Sequence, residues 1–294
     1  MTIPKKSINK LADRAVYLVL NWGLPSTWKQ VETKETSTEL RSRKRLIKSS
    51  VLTDMRRLRY TVKRMLQRYS LNSMFRPGVY VVPLDYVAQA DETLQSVMSQ
   101  IEGCRARIES EWPKIIADAR TRLGELFDPS DYGSAAQAAQ EFEMSYRYVP
   151  IASTPEILQS VAADTYKADL ERSKAETTKE LEAFRQHLRG TLVKIVDNMR
   201  ETLSRPDGER RVFGKRFFVK LDDFLGTFDQ KNLSDDGALK DVVKQLRKVA
   251  NGTDVATLKT SEEMQAALDT SLASISEHMT SMLQNDEGRM IDLS

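Results

Sequence analysis

Residues 155–206 read PEILQSVAADTYKADLERSKAETTKELEAFRQHLRGTLVKIVDNMRETLSRP. Between Pro155 and Pro206 there is no other proline and one glycine, Gly190, so no residue type forces the backbone out of a helix. Thr154 ahead of a proline at the first helical position is a common start, and Ser204-Arg205-Pro206-Asp207-Gly208 is a plain stop. A helix is therefore expected over about 155–204, and at about 1.5 Å per residue it would be roughly 75 Å long. A compact globule of this chain length is roughly 50 Å across. The expected fold is thus mainly α, an elongated helical bundle or coiled coil. Its two halves read differently. From Asp164 to Glu182 ten of nineteen residues are charged, which predicts a solvated stretch. From Leu181 onward Phe184, Leu188, Leu192, Ile195, Met199 and Leu203 form an apolar stripe with a face to bury.

Working outward toward the N-terminus, Phe142, Met144, Tyr146 and Tyr148 alternate with Glu143, Ser145 and Arg147, the two-residue period of a strand over 142–149. Ser134 to Glu141 predicts a brief helix. Val87, Leu94, Ile101 and Ile108 recur every seven residues with Ala90, Val97 and Cys104 between them, a coiled-coil seam. Pro113 is expected to kink or restart that helix. Val79-Tyr80-Val81-Val82, after the turn Arg76-Pro77-Gly78, predicts another strand. Strands 79–82 and 142–149 are expected to pair as a small two-stranded ribbon.

Further back, Ile47, Val51, Met55, Leu58, Val62, Met65 and Tyr69 make the seam of a basic amphipathic helix expected to begin near Lys44 or Arg45. Ser26 to Glu39 reads as a polar loop. Leu11, Ala15, Leu18 and Trp22 fit a first helix capped by Ser7. Toward the C-terminus, Phe217 to Phe228, Leu239 to Val249, and Met264 to Met282 behind a Thr260/Glu263 capping box predict three more helices. The domain reading is 1–70 for the N-terminal helices, 71–206 for the long-helix region with its ribbon, and 207–294 for C-terminal helices packing on the body.

The chain has 294 residues, is 40% hydrophobic and 30% charged, and carries a formal net charge of +3. That small net charge averages unlike segments. From Leu40 to Arg68 there are eleven Lys or Arg residues against one acid, Asp54, so the window carries +10 and the rest −7. Cys104 is the one cysteine, which excludes an internal disulfide framework and suits a reducing compartment. The apolar run Ala15–Leu20 is too short for a signal-peptide core or a membrane span. A cytoplasmic protein with no membrane partner is expected.

No phosphate loop, nucleophile elbow, His-Glu-x-x-His or cysteine pair is present. The expectation is a non-enzymatic protein with no catalytic residues, no metal and no cofactor. An enzyme would have to be built on the Asp128 and Asp131 loop. Two binding readings remain open. In the first, the solvated half of the long helix recruits a protein partner or a second copy of the chain, with Lys167, Glu171, Lys174 and Lys179 as candidate contacts. In the second, Arg56, Arg57, Arg59, Lys63, Arg64 and Arg68 hold DNA or RNA backbones without reading sequence, with Tyr60 and Tyr69 as stacking residues. Against the second stands a plainer use of the basic helix, pairing with the acids of the other segments.

Leu123-Gly124-Glu125-Leu126-Phe127-Asp128-Pro129-Ser130-Asp131-Tyr132, followed by Tyr146-Arg147-Tyr148-Val149-Pro150, resembles a family of bacteriophages and mobile elements classed as a domain of unknown function. The resemblance extends over about 59–279 and is best over 123–150. Members usually carry proline after the Asp-Tyr pair, where this chain has Gly133. The resemblance carries over no catalytic residues. Members can be encoded beside AAA+ ATPases of the MoxR type and proteins with von Willebrand-like domains, so the resemblance implies an adaptor in the cytoplasm of a bacterial host, with an AAA+ ATPase as one partner class.

Overall fold

The computed structural model describes residues 11–31, 42–73, 77–151, 160–204, 216–253, 255–258 and 261–290. The fold is mainly α. It divides into two compact units, one of residues 16–149 and one of residues 1–15 with 150–294. The boundaries expected at 70 and 206 do not coincide with that division. The basic helix shares its unit with the heptad helix, and the long helix shares its unit with the C-terminal helices.

In the 16–149 unit, helix α1 (Ser50–Tyr69) lies antiparallel to α2 (Val87–Leu123). Arg107 of α2 reaches Asp54 near the start of α1 at 2.7 Å, while Tyr69 at the end of α1 meets Tyr86 just ahead of α2 with ring centroids 4.9 Å apart. The two predicted seams form one core: Val51, Met55, Leu58, Val62 and Met65 are buried on α1, and Ala90, Leu94, Val97, Ile101, Cys104 and Ile108 on α2. Pro113 neither ends nor restarts α2, which runs through it. Helix α3 (Ala135–Gln140) is closed by the reciprocal capping box of Ser134 and Gln137.

Strands β1 (Ala15–Gly23), β4 (Leu71–Asn72), β5 (Val79–Pro83) and β6 (Glu143–Pro150) form one sheet in the order β4-β5-β1-β6. Both strands expected from the sequence are present, but they do not pair with each other, because β1 lies between them. The segment whose spacing suggests a first helix is thus a central strand over most of its length. Its run Ala-Val-Tyr-Leu-Val-Leu is rich in β-branched and aromatic residues and lacks the alternation that marks a half-exposed strand. Leu18 satisfies a three-to-four spacing and a two-residue one alike, which is why spacing points to the wrong element. The polar segment expected to be a loop holds β2 (Trp28–Val31), paired antiparallel with β3 (Ser42–Arg45) in a separate two-stranded sheet.

In the other unit the long helix is α4 (Ala163–Leu203); the expected start at 155–159 lies outside the described residues. Helices α5 (Arg216–Lys231), α6 (Gly237–Gly252), α7 (Val255–Leu258) and α8 (Glu262–Met290) follow. Ser261 caps α8, accepting from the Met264 amide at 3.2 Å; Thr260, the cap expected from the sequence, lies outside the described residues. α8 runs antiparallel to α4: Arg189 donates to the Met282 carbonyl (3.3 Å), Asp197 accepts from Ser276 (2.7 Å), and Arg200 pairs with Asp269 (3.2 Å). The stripe Phe184, Leu188, Leu192, Val196, Met199 and Leu203 is buried, so the face passes through Val196 where spacing selected Ile195. No side chain from 163 to 176 is buried, but Thr177 and Glu180, inside the stretch 164–182 expected to be solvated, are, so the solvated part of the helix ends at 176. No described helix is long and apolar enough to cross a membrane.

Candidate nucleic-acid interface

Helix α1 is set by its ends and by its seam. Ser49 caps it, its hydroxyl accepting from the Val51 amide at 3.1 Å, and Ser70 closes it, donating both its amide (2.9 Å) and its hydroxyl (2.6 Å) to the Leu66 carbonyl. The helix therefore starts after Lys44 and Arg45, which belong to β3. β3 pairs with β2, and its side chains leave in alternate directions. At about 100° per residue the seam occupies one side of α1, and Arg59, Lys63, Arg56, Tyr60, Arg64, Arg57 and Arg68 sweep the opposite half in that order. All seven are exposed.

Few of those cations have counter-ions. Arg57 lies 3.4 Å from Asp54, an acid already held at 2.7 Å by Arg107. The Arg68 guanidinium sits 5.5 Å from the Tyr69 ring centroid. Among the described residues no acid pairs with Arg56, Arg59, Lys63 or Arg64. Four of the chain's acids are engaged with cations other than these. Asp236 pairs with Arg189, Asp229 with Arg247, Asp269 with Arg200, and Asp118 with Arg122. A stiff helix with its apolar side docked holds these cations about 1.5 Å apart in rise per residue. Such a face attracts polyanions without distinguishing bases.

The ribbon spends its own cations differently. In the register Lys29↔Lys44, both ammonium groups meet Asp131, Lys44 at 2.5 Å. The Asp131 side chain is fully buried. Burial pushes its carboxyl up, but the Lys29 and Lys44 ammonium groups outweigh burial and hold it below the usual carboxylate range. Around it Lys44 also donates to the Leu126 carbonyl (2.8 Å), Arg122 to those of Arg45 (2.7 Å) and Leu46 (3.2 Å), and Tyr132 to that of Leu46 (3.3 Å). The Asp128-Pro129-Ser130-Asp131-Tyr132 block is thus a clamp that fastens the ribbon beside the start of α1. Sequence reading misses it because the residues of β2 and β3 look like loop and helix. The two short runs Trp28–Val31 and Ser42–Arg45 around a polar stretch are the available hint of a hairpin. A cleft of about 500 Å³ does open beside Asp131, Tyr132, Gly133 and Trp112. A carboxylate committed to two ammonium groups serves there as a tie rather than as a proton acceptor.

Lys167, Glu171, Lys174 and Lys179 lie on α4 in the other unit, so the two sets of candidate residues belong to different bodies. Lys174 pairs with Glu171 at 2.5 Å within one turn; Lys167 and Lys179 are exposed. Among the described residues no three His, Cys, Asp or Glu side chains converge on a metal-sized point. Cys104 is buried in the α1–α2 seam, where burial, reinforced by the Asp54 charge, pushes its thiol up and away from nucleophilic use. Comparison of the chain with protein-family models, curated proteins and solved structures finds no match.

Proposed function

We propose that the chain is a non-enzymatic nucleic-acid-binding protein that holds DNA or RNA backbones, without reading sequence, on the outward face of α1. One observation carries this reading: Arg56, Arg59, Lys63 and Arg64 stand exposed on one helix face with no acid paired to them among the described residues. The setting implied by the family resemblance, the cytoplasm of a bacterial host carrying a phage or mobile element, is one in which such a protein meets nucleic acid.

Fluorescence anisotropy with a labelled oligonucleotide tests it. Four phosphate contacts give a slope of log Kobs against log[salt] of about −3 on a single strand. Reversing Arg56, Arg59, Lys63 and Arg64 to Glu should weaken binding by about 100-fold, or about 2.7 kcal/mol, and leave the unfolding midpoint near that of the wild type, because exposed side chains away from such contacts contribute little to stability. Equal binding by wild type and variant, or affinity indifferent to salt, would remove the reading.

A second reading is favoured by a different observation. The stretch 163–176 of α4 is helical yet buries no side chain, and helices of that kind are stabilised chiefly by packing against something. In that reading the stretch recruits a protein partner, an AAA+ ATPase among the classes to try, or a second copy of the chain. Sedimentation of the purified chain alone and mixed with a candidate ATPase should then show a complex that charge reversal of Lys167, Lys174 and Lys179 abolishes. A monomer in both runs sinks it.

A further inference from the structure

We infer that the occupant of the α1 face is a single strand rather than a duplex, with one of its bases stacked on Tyr60; this rests on the nucleic-acid reading above. Tyr60 is 61% exposed, and no hydrogen bond or ring contact occupies it among the described residues. On a helix its neighbours one turn away are residues three and four positions off. Those are Arg56 and Arg57 on one side and Lys63 and Arg64 on the other. The ring is therefore a flat apolar surface inside a frame of four cations.

The other aromatic of this helix is unavailable. Tyr69 is half-buried, its ring 4.9 Å from that of Tyr86 and in contact with the Arg68 guanidinium. The platform on α1 is thus placed at the centre of the charge and not at the helix end. Within the same unit Trp28, 50% exposed, has the Arg45 guanidinium 5.9 Å from its ring, so aromatic and cation are combined a second time on its surface.

Geometry selects between the two forms of nucleic acid. In a duplex the base faces are covered by their neighbours, and a helix lying along the phosphates meets only charge and sugar. An aromatic ring amid the cations has nothing to stack on there and displaces water without return. In a single strand the base faces are open. Cations that grip phosphates on either side then bring a base down on the ring, a combination that binds strands with little regard to sequence. From Arg56 to Arg68 the face runs roughly 18 Å, room for a strand of a few nucleotides.

The test uses the full chain, a labelled 20-nucleotide oligo-dT and a mixed-sequence duplex of equal length, each titrated over the same series of salt concentrations. The wild type should bind the single strand more tightly. Tyr60→Ala should weaken single-strand binding about tenfold, as expected for one stacked base, while leaving duplex binding and the single-strand salt slope unchanged because no cation is removed. Tyr60→Phe, which keeps the π face, should bind as the wild type does. Equal wild-type affinities for strand and duplex, or a Tyr60→Ala protein that binds the strand normally, overturns the inference and leaves the cation reading standing. A wild type that binds neither overturns both.

Discussion

Asp236→Ala is expected to lower the unfolding free energy by about 4–5 kcal/mol, the largest loss from any single side chain in the 150–294 unit. Asp236 is 5% exposed as a residue and does two things at once. Its carboxylate takes a paired grip from Arg189, Nε to Oδ2 at 2.7 Å and Nη2 to Oδ1 at 3.1 Å, and Oδ1 also accepts from the Leu239 amide at 3.1 Å as the N-cap of α6. Its backbone is fixed in turn by Asn232, whose Oδ1 accepts from the Asp236 amide at 2.8 Å. Both charged side chains are out of water, 8% and 3% exposed. Alanine removes the cap and leaves a guanidinium buried without its counter-ion. Removing one partner of such a pair costs far more than removing both.

That asymmetry supplies the check. Asp236→Asn retains the cap and should lose about 3 kcal/mol, and Arg189→Met combined with Asp236→Asn should recover most of that loss. Urea unfolding of the three variants measures it. A double variant no more stable than Asp236→Asn alone would show that the pair is not what holds α6 against α4.

The legibility of α1, α2 and the second half of α4 in the sequence has a common cause. Each has one buried side and one wet side, and Val51-Met55-Leu58-Val62-Met65 or Phe184-Leu188-Leu192 can then be seen as a stripe. The first fourteen residues of α4, from 163 to 176, are legible for the opposite reason, as they have nothing to bury. β1 is not, because Tyr17 and Val19 are apolar as well as Val16, Leu18 and Leu20, so its two faces do not alternate in the sequence, and Leu18 suits either period. The ribbon β2–β3 is hidden because it is held by charge rather than by an apolar pattern. Lys29 and Lys44 look like solvated cations until the chain brings Asp131, about a hundred residues away for Lys29, between them. The cations of α1 follow from composition and period. That Arg56, Arg59, Lys63 and Arg64 lack acidic partners among the described residues, and that Tyr69 rather than Tyr60 is taken up in a ring contact, depends on where distant residues fall, which no local pattern encodes.

Gly78→Val is expected to cost about 4 kcal/mol in the 16–149 unit, more than a typical surface substitution by a wide margin. Gly78 follows Pro77 at the entry to β5 with φ of +81°, a backbone region that residues with a Cβ rarely adopt. A Cβ placed there would come to 2.8 Å from the Leu20 carbonyl oxygen. The obstacle is backbone, not the end of a flexible side chain, so it cannot swing aside. Relief would require β1 and β5 to separate at the point where the Leu20 amide donates to the Gly78 carbonyl at 2.8 Å. The substitution therefore sets backbone strain and loss of a central strand pairing against each other, and one of them must be accepted. Gly103→Ala is the matched control: Gly103 lies mid-helix in α2, and a Cβ added there would meet nothing within 4 Å, so alanine should stabilise by about 0.5–1 kcal/mol. Unfolding midpoints that fall for Gly78→Val and rise for Gly103→Ala are the expected pair. A Gly78→Val protein as stable as the wild type would mean that the Pro77-Gly78 turn does not take a left-handed conformation, and that β1 is not held against β5 in this register.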